Sequence, residues 1–263
     1  MYKVNMKTFS IEEAEKEFSK YTDNYNNENP LIKLKIDHTY RVACMSKYIA
    51  EQIGMDQENV ELAWLIGLLH DIGRFEQLKR YNTFHDSKSL DHAMFGSELL
   101  FNEGLIRNYI EDDKYDIVIK KAIENHNKYS IEEGLNEQEL LHSRIIRDAD
   151  KLDIYYTVLD TGVKTFYNSN DVDDSKMTEK IYTDFMNYKS ISNKETKTYL
   201  DRCLLTMALI FDLNFDCSYK VMLEKDYINQ FIDTIDCKNG NYEKLEEVRN
   251  CANGYILRKS KNL

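Results

Sequence analysis

"LAWLIGLLHDIGRFEQ" (Leu62–Gln77) runs from an apolar helical segment straight into an adjacent histidine and aspartate, His70 and Asp71. From Leu62 to Leu69 the segment is apolar around its whole circumference, the mark of a helix packed on every side. A polar pair at the end of such a helix has to be satisfied by something other than bulk water. Adjacent helical residues lie about 100° apart, so His70 and Asp71 can serve one partner only if it sits off the helix end. On this reading Gly73 lets the chain turn away, and the pair stands at the mouth of a site.

Outward from this stretch the apolar spacing predicts helices over Ile36–Ile53, Glu58–Ile72, Leu90–Asn102, Tyr115–Asn125 and Glu137–Leu159. A charged helix is expected after Ser10, with Glu13 placed to form a capping box. The polar stretches Thr22–Pro30 and Gly73–Ser89 read as loops. Past Lys176 the helical periodicity resumes in short segments, with no Pro/Gly/Ser-rich linker and no repeat. The chain therefore reads as one α-helical domain, 1–263, and 9 Gly with 1 Pro are too few for the turns of an all-β fold.

The formal net charge is −11. Such a chain lacks the general attraction that brings proteins to nucleic-acid duplexes or anionic membranes. No apolar stretch has the length of a membrane span. Five cysteines, Cys44, Cys203, Cys217, Cys237 and Cys251, are odd in number and never spaced C-x-x-C. Reduced thiols and a cytoplasmic location are expected.

Several polar residues fall on apolar stripes. His38 shares one with Val42, Met45 and Ile49; His92 with Phe95, Gly96 and Leu99; His126 follows Ile119, Ala122 and Ile123; and Asp150 lies between Ile146 and Ile154, with Asp148 and Asp153 facing elsewhere. Any one of them alone is an ordinary hydrogen-bonded core residue or half of an ion pair. Five helices each turning an imidazole or carboxylate inward call for a shared partner, because an unpaired buried polar group costs about 1–3 kcal/mol. One or two divalent cations satisfy them all, and imidazole with carboxylate suits Mn, Fe, Co, Ni or Zn.

The order His38, His70-Asp71, Asp150 resembles the HD superfamily of metal-dependent phosphohydrolases, with "LLHDIGR", "DHAMFGSELL", "ENH" and "DADKLD" similar to its local motifs. The resemblance implies an all-α HD-domain helical bundle, with a metal-binding core at 30–160 and a helical extension at 161–263. It implies that His38, His70, Asp71 and Asp150 hold one divalent ion (Mn, Fe, Co, Ni, Zn or Mg). His92 and His126 stand at the places of the extra ligands of two-metal members, with Asp71 bridging. His70 and Asp71 are then expected to be catalytic, with water as the nucleophile and a small anionic phosphate ester, such as a nucleotide, as the substrate. Arg74, directly after the motif, is a candidate phosphate clamp and catalytic residue; His85 and Lys151 are further substrate-binding candidates, whereas Lys79 and Arg80 read as solvated. The G-Y-P signature of the cyclic-di-GMP branch is missing. The same ligand set also serves di-iron oxygenases such as inositol oxygenases, and a non-hydrolytic sensing module is a second alternative.

Overall fold

The computed structural model describes residues 9–167, 176–235 and 241–261, so Cys237 lies outside the described residues. Every regular element among them is helical, as expected. The chain groups into two compact units, Met1–Ala149 and Asp150–Leu263.

In the first unit α1 (Ile11–Thr22) starts on Ser10, whose hydroxyl accepts from the Glu13 N–H. Its Phe18 is fully buried, edge-on to Tyr40 and Phe75. Helix α2 (Pro30–Gln52) begins before the expected Ile36, because Asn29 caps it and Pro30 fills the first turn, where a missing N–H costs nothing. Helix α3 (Gln57–Leu69) is buried at every position from Val60 onward, in keeping with its uniform apolarity. It lies close against α2 at Gly67, where a Cβ would come within 2.6 Å of the Ala43 Cα.

The expected loop from Gly73 is a helix for its first half, α4 (Ile72–Tyr81). Ile72, Phe75 and Leu78 recur at helical spacing and are buried, and this apolar edge outweighs the polar residues between them. Gly73 therefore does not let the chain turn away. Its role is close packing against α5 (His92–Ser97), since a Cβ on Gly73 would stand 2.5 Å from the His92 carbonyl oxygen and 2.7 Å from the Gly96 nitrogen. Residues Glu98–Asn102 continue α5 as a π-turn, and α6 (Asp116–His126) and α7 (Glu137–Thr161) follow. The boundary between the units falls inside α7, before the expected end of the core at 160.

The second unit carries the short α8 (Val163–Phe166), then α9 (Glu179–Met186), α10 (Tyr199–Met207), α11 (Asp216–Glu224), α12 (Tyr227–Asp233) and α13 (Tyr242–Lys259). A capping box between Thr198 and Asp201 starts α10. Tyr155 is buried, stacks on Tyr227 at 5.8 Å and donates to the Met207 carbonyl at 2.8 Å. Tyr155 and Tyr227 thus serve its core, whereas Tyr156, Phe166, Tyr188 and Tyr242 are exposed. Cys44, Cys203, Cys217 and Cys251 are free thiols. No described helix is long and apolar enough to cross a membrane.

The Gly73 contact is testable. Gly73→Ala is expected to lower stability by about 1–3 kcal/mol, the usual cost of overpacking, read from denaturant midpoints. Gly254→Ala on α13 would meet only the flexible end of Arg258 at 3.5 Å. It should be neutral or stabilising by up to about 1 kcal/mol, since alanine is the better helix former.

Candidate metal centre

The last carbonyls of a helix have no partner within it, and two histidines answer this need. His70, the C-cap of α3, brings Nδ1 to 2.7 Å from the Gly67 carbonyl oxygen. His126, the last residue of α6, brings Nδ1 to 2.7 Å from that of Ile123. A carbonyl can only accept, so each Nδ1 carries the proton, and in the neutral ring Nε2 is then the nitrogen able to bind a cation. Arg147 pins the same end of α6 by donating to the Asn125 and Lys128 carbonyls at 2.9 and 2.5 Å.

His92 is the first residue of α5 and has no earlier helical turn to supply a carbonyl. Its Nδ1 lies 2.6 Å from Asp86 Oδ2 instead. Burial opposes ionisation of Asp86, but the bond from His92, with Arg74 and Gln77 beside it, holds its pKa down to about 2. The carboxylate is therefore an acceptor, and His92 too presents a bare Nε2.

These nitrogens converge. Nε2 of His92 and of His126 are 3.0 Å apart, and those of His70 and His38 are 3.3 Å apart. Asp71 lies between the pairs, with Oδ1 3.3 Å from His92 Nε2 and 3.8 Å from His126 Nε2, and Oδ2 3.5 Å from His38 Nε2 and 3.6 Å from His70 Nε2. Two lone pairs facing at 3.0 Å cannot hydrogen-bond to each other, and Asp71 Oδ1 is buried without a hydrogen bond. Donors about 2.1 Å from a cation, at angles of about 90–110°, stand about 3.0–3.4 Å apart. The two histidine pairs fall in this range and the Asp71 oxygens at or slightly beyond it, so the set could hold divalent cations in two triples, His38/His70/Asp71 and Asp71/His92/His126.

Residues 36–155 match the model of the HD domain family. This segment is an HD domain. Neither a curated protein nor a solved structure matches the chain. The HD superfamily is one of metal-dependent phosphohydrolases, and the histidine and aspartate clusters supply groups that could hold its metal.

The HD pair does not stand at the mouth of the site. His70 is 0% and Asp71 3% exposed. Burial works against the Asp71 charge, yet Lys35, followed by the neighbouring imidazoles, holds its pKa well below the ordinary carboxylate range. Lys35 bonds Asp71 Oδ2 directly. Sequence reasoning passed over this lysine, although it lies one helical turn before His38, a spacing that puts the two on one face. It also passed over Asp86, in a segment without periodicity to read, and Arg147, a charged residue of α7.

Arg74 sits beside the motif as expected, with Nε 3.5 Å from Asp71 Oδ1. Its Nη1 is taken up by Gln77 Oε1, the Phe84 carbonyl and Asp86 Oδ1 at 2.6–2.9 Å. His85 is exposed. Lys151 is buried in the second unit and pairs with Asp212 at 2.8 Å. Asp150, which begins that unit, is half-buried, whereas Asp148 and Asp153 are the buried carboxylates of the stretch. Helix α7 is buried around its circumference, with Arg147 and Val158 on the side opposite Ile145 and Ala149, so an apolar stripe does not mark its one inward face and the wheel misjudges its carboxylates.

His142 is buried and bonds Asn59 Oδ1 at 3.1 Å. Burial depresses its pKa to about 4. The unfolded chain, with a histidine pKa of about 6.5, takes up this proton first, so the stabilisation is complete above pH ~6.5 and is lost as pH falls toward ~4. His142→Gln should remove about 2 kcal/mol of the difference in stability between pH 7 and pH 5. Urea midpoints at the two pH values measure it, and identical slopes in variant and wild type would refute it.

Proposed function

We propose that the chain is a metal-dependent phosphohydrolase that cleaves a nucleotide or another small phosphate ester with water, through a centre of two divalent ions. The observation that carries the reading is the pair of histidine–aspartate triples that share Asp71. When bound, such ions acidify water and offset the charge developing on phosphoryl oxygens. They also make the pocket locally cationic within an acidic chain, which draws an anionic substrate.

The chain's own residues supply orientation. Lys35 and Arg74 are each largely buried and each place their charge 5.9 Å from the centre of the Phe84 ring. A phosphate entering beside Phe84 meets the Lys35 ammonium on one side and the Arg74 guanidinium on the other. Arg74 has Nη1 fixed by the chain around it, so it comes to the substrate already oriented, which reduces the entropy lost on binding. His85, exposed at the start of the turn Asp86–Lys88, is placed for exchange of protons with solvent. Lys151 is engaged with Asp212, and Lys35 takes over its expected role.

A panel of phosphomonoesters, cyclic nucleotides and dinucleotides, each assayed with Mn, Fe, Co, Ni and Mg, tests the activity. Oxygen uptake run in parallel would reveal oxygenase chemistry instead. Binding without turnover of any ester would indicate a sensor. His70→Ala or Asp71→Ala is expected to abolish metal binding and turnover with helical circular dichroism largely retained, since the apolar faces of the helices are untouched. His126→Ala should lower bound metal from two ions per chain toward one by elemental analysis. Lys35→Met should raise KM about tenfold or more, the loss of one charge-assisted bond, and Arg74→Ala should raise it with metal content unchanged.

A further inference from the structure

We infer that Asp86 is the positioning residue of the second metal subsite: it fixes the tautomer and ring direction of His92 and thereby makes the Asp71/His92/His126 triple competent to bind an ion. The inference rests on the two-ion reading above. It starts from a difference among the histidines. His70 and His126 each find an acceptor in their own helix, three residues back, so their rings are oriented by the α-helix itself. His92 opens α5, after the N-cap Asp91, and its helix offers no such carbonyl. Without an outside acceptor the ring could carry its proton on Nε2, and that nitrogen would then face His126 as a donor rather than as a ligand.

Asp86 is that acceptor, and it is itself held from the other side. Its Oδ2 takes the His92 proton, while its Oδ1 receives Arg74 Nη1 at 2.7 Å and Gln77 Nε2 at 3.0 Å, both from α4. Gln77 is fully buried and also bonds Ser89 Oγ and the Leu90 carbonyl at 2.8 and 3.0 Å, so the segment between α4 and α5 is tied down on both sides of Asp86. A carboxylate acceptor also raises the basicity of the opposite ring nitrogen more than a neutral carbonyl does. Asp86 could be grouped with Asp91 and His92 as a ligand set of its own. Asp91, however, is spent on capping: it accepts from the Ala93 and Met94 N–H groups and from Asn127 Nδ2, at 2.9–3.1 Å. The geometry leaves Asp86 to act through His92.

The test uses the full chain and Mn2+ as the probe, by calorimetric titration and elemental analysis. Wild type is expected to bind two ions. Asp86→Ala should weaken one of them 10- to 100-fold, the usual effect of removing such a partner, with the other unchanged; Asp86→Asn, which keeps an acceptor oxygen, should recover part of the loss. The metal-free protein gives an independent readout: the low-field proton resonance of His92 Nδ1 should be lost in Asp86→Ala. Ser89→Ala loosens the same segment without touching Asp86 or His92, and it should bind both ions as wild type does. Unchanged affinity for both ions in Asp86→Ala, or an equal loss in Ser89→Ala, would overturn the inference while leaving the two-ion reading in place. A single ion in wild type would overturn the two-ion reading and this inference with it.

Discussion

A neutral histidine that gives its ring proton to a fixed acceptor presents the other nitrogen as a lone pair, and the centre is organised by that rule applied repeatedly. His70 and His126 obey it at the ends of α3 and α6, where unpaired carbonyls are available in any case. His92 obeys it through a carboxylate brought from another segment. The result is a cluster of acceptors around a buried carboxylate, an arrangement that repels itself unless a cation joins it. Helix ends thus do two things at once. They satisfy backbone groups that would be left orphaned, and they aim the groups that would hold a metal.

The charge balance of the region follows from the same arrangement. Asp71 is buried, and Lys35 is the side chain that bonds its Oδ2 directly. Burying that carboxylate unpaired would be costly, so the ammonium stabilises it. Lys35 also remains partly accessible, at 18% side-chain exposure. A single lysine is in this way available both to the carboxylate behind it and to an anion in front of it.

What was legible in the sequence was what repeats with the period of a helix. His38, His92 and His126 are found on apolar stripes, and each is buried where its stripe puts it. The motif "LLHDIGR" pointed to the HD domain that residues 36–155 match. Contacts that depend on two segments meeting in space were not legible. The α4 helix was hidden because three apolar residues among many charged ones make a weak pattern. Gly73 signalled a special backbone position, but the reason is an approach to Gly96 rather than a turn. Asp86 sits in a polar run indistinguishable from a solvated loop until Arg74, Gln77 and His92 are seen around it. Asp150 shows the limit of the wheel itself, because a helix packed on several sides gives no single inward direction.

The contact between Gly73 and Gly96 bears on how rigid the centre is. Backbone stands against backbone there, with the Ile72 side chain beside it. The segment carrying His70 and Asp71 and the segment carrying His92 are therefore spaced mainly by main chain, and the rotamer changes that let neighbouring helices breathe affect this spacing little. Thermal motion at the surface should alter access to the pocket far more readily than the separation of its two halves. A donor cluster gauged in this way discriminates among cations by size, because its walls cannot draw in around a smaller ion or spread for a larger one.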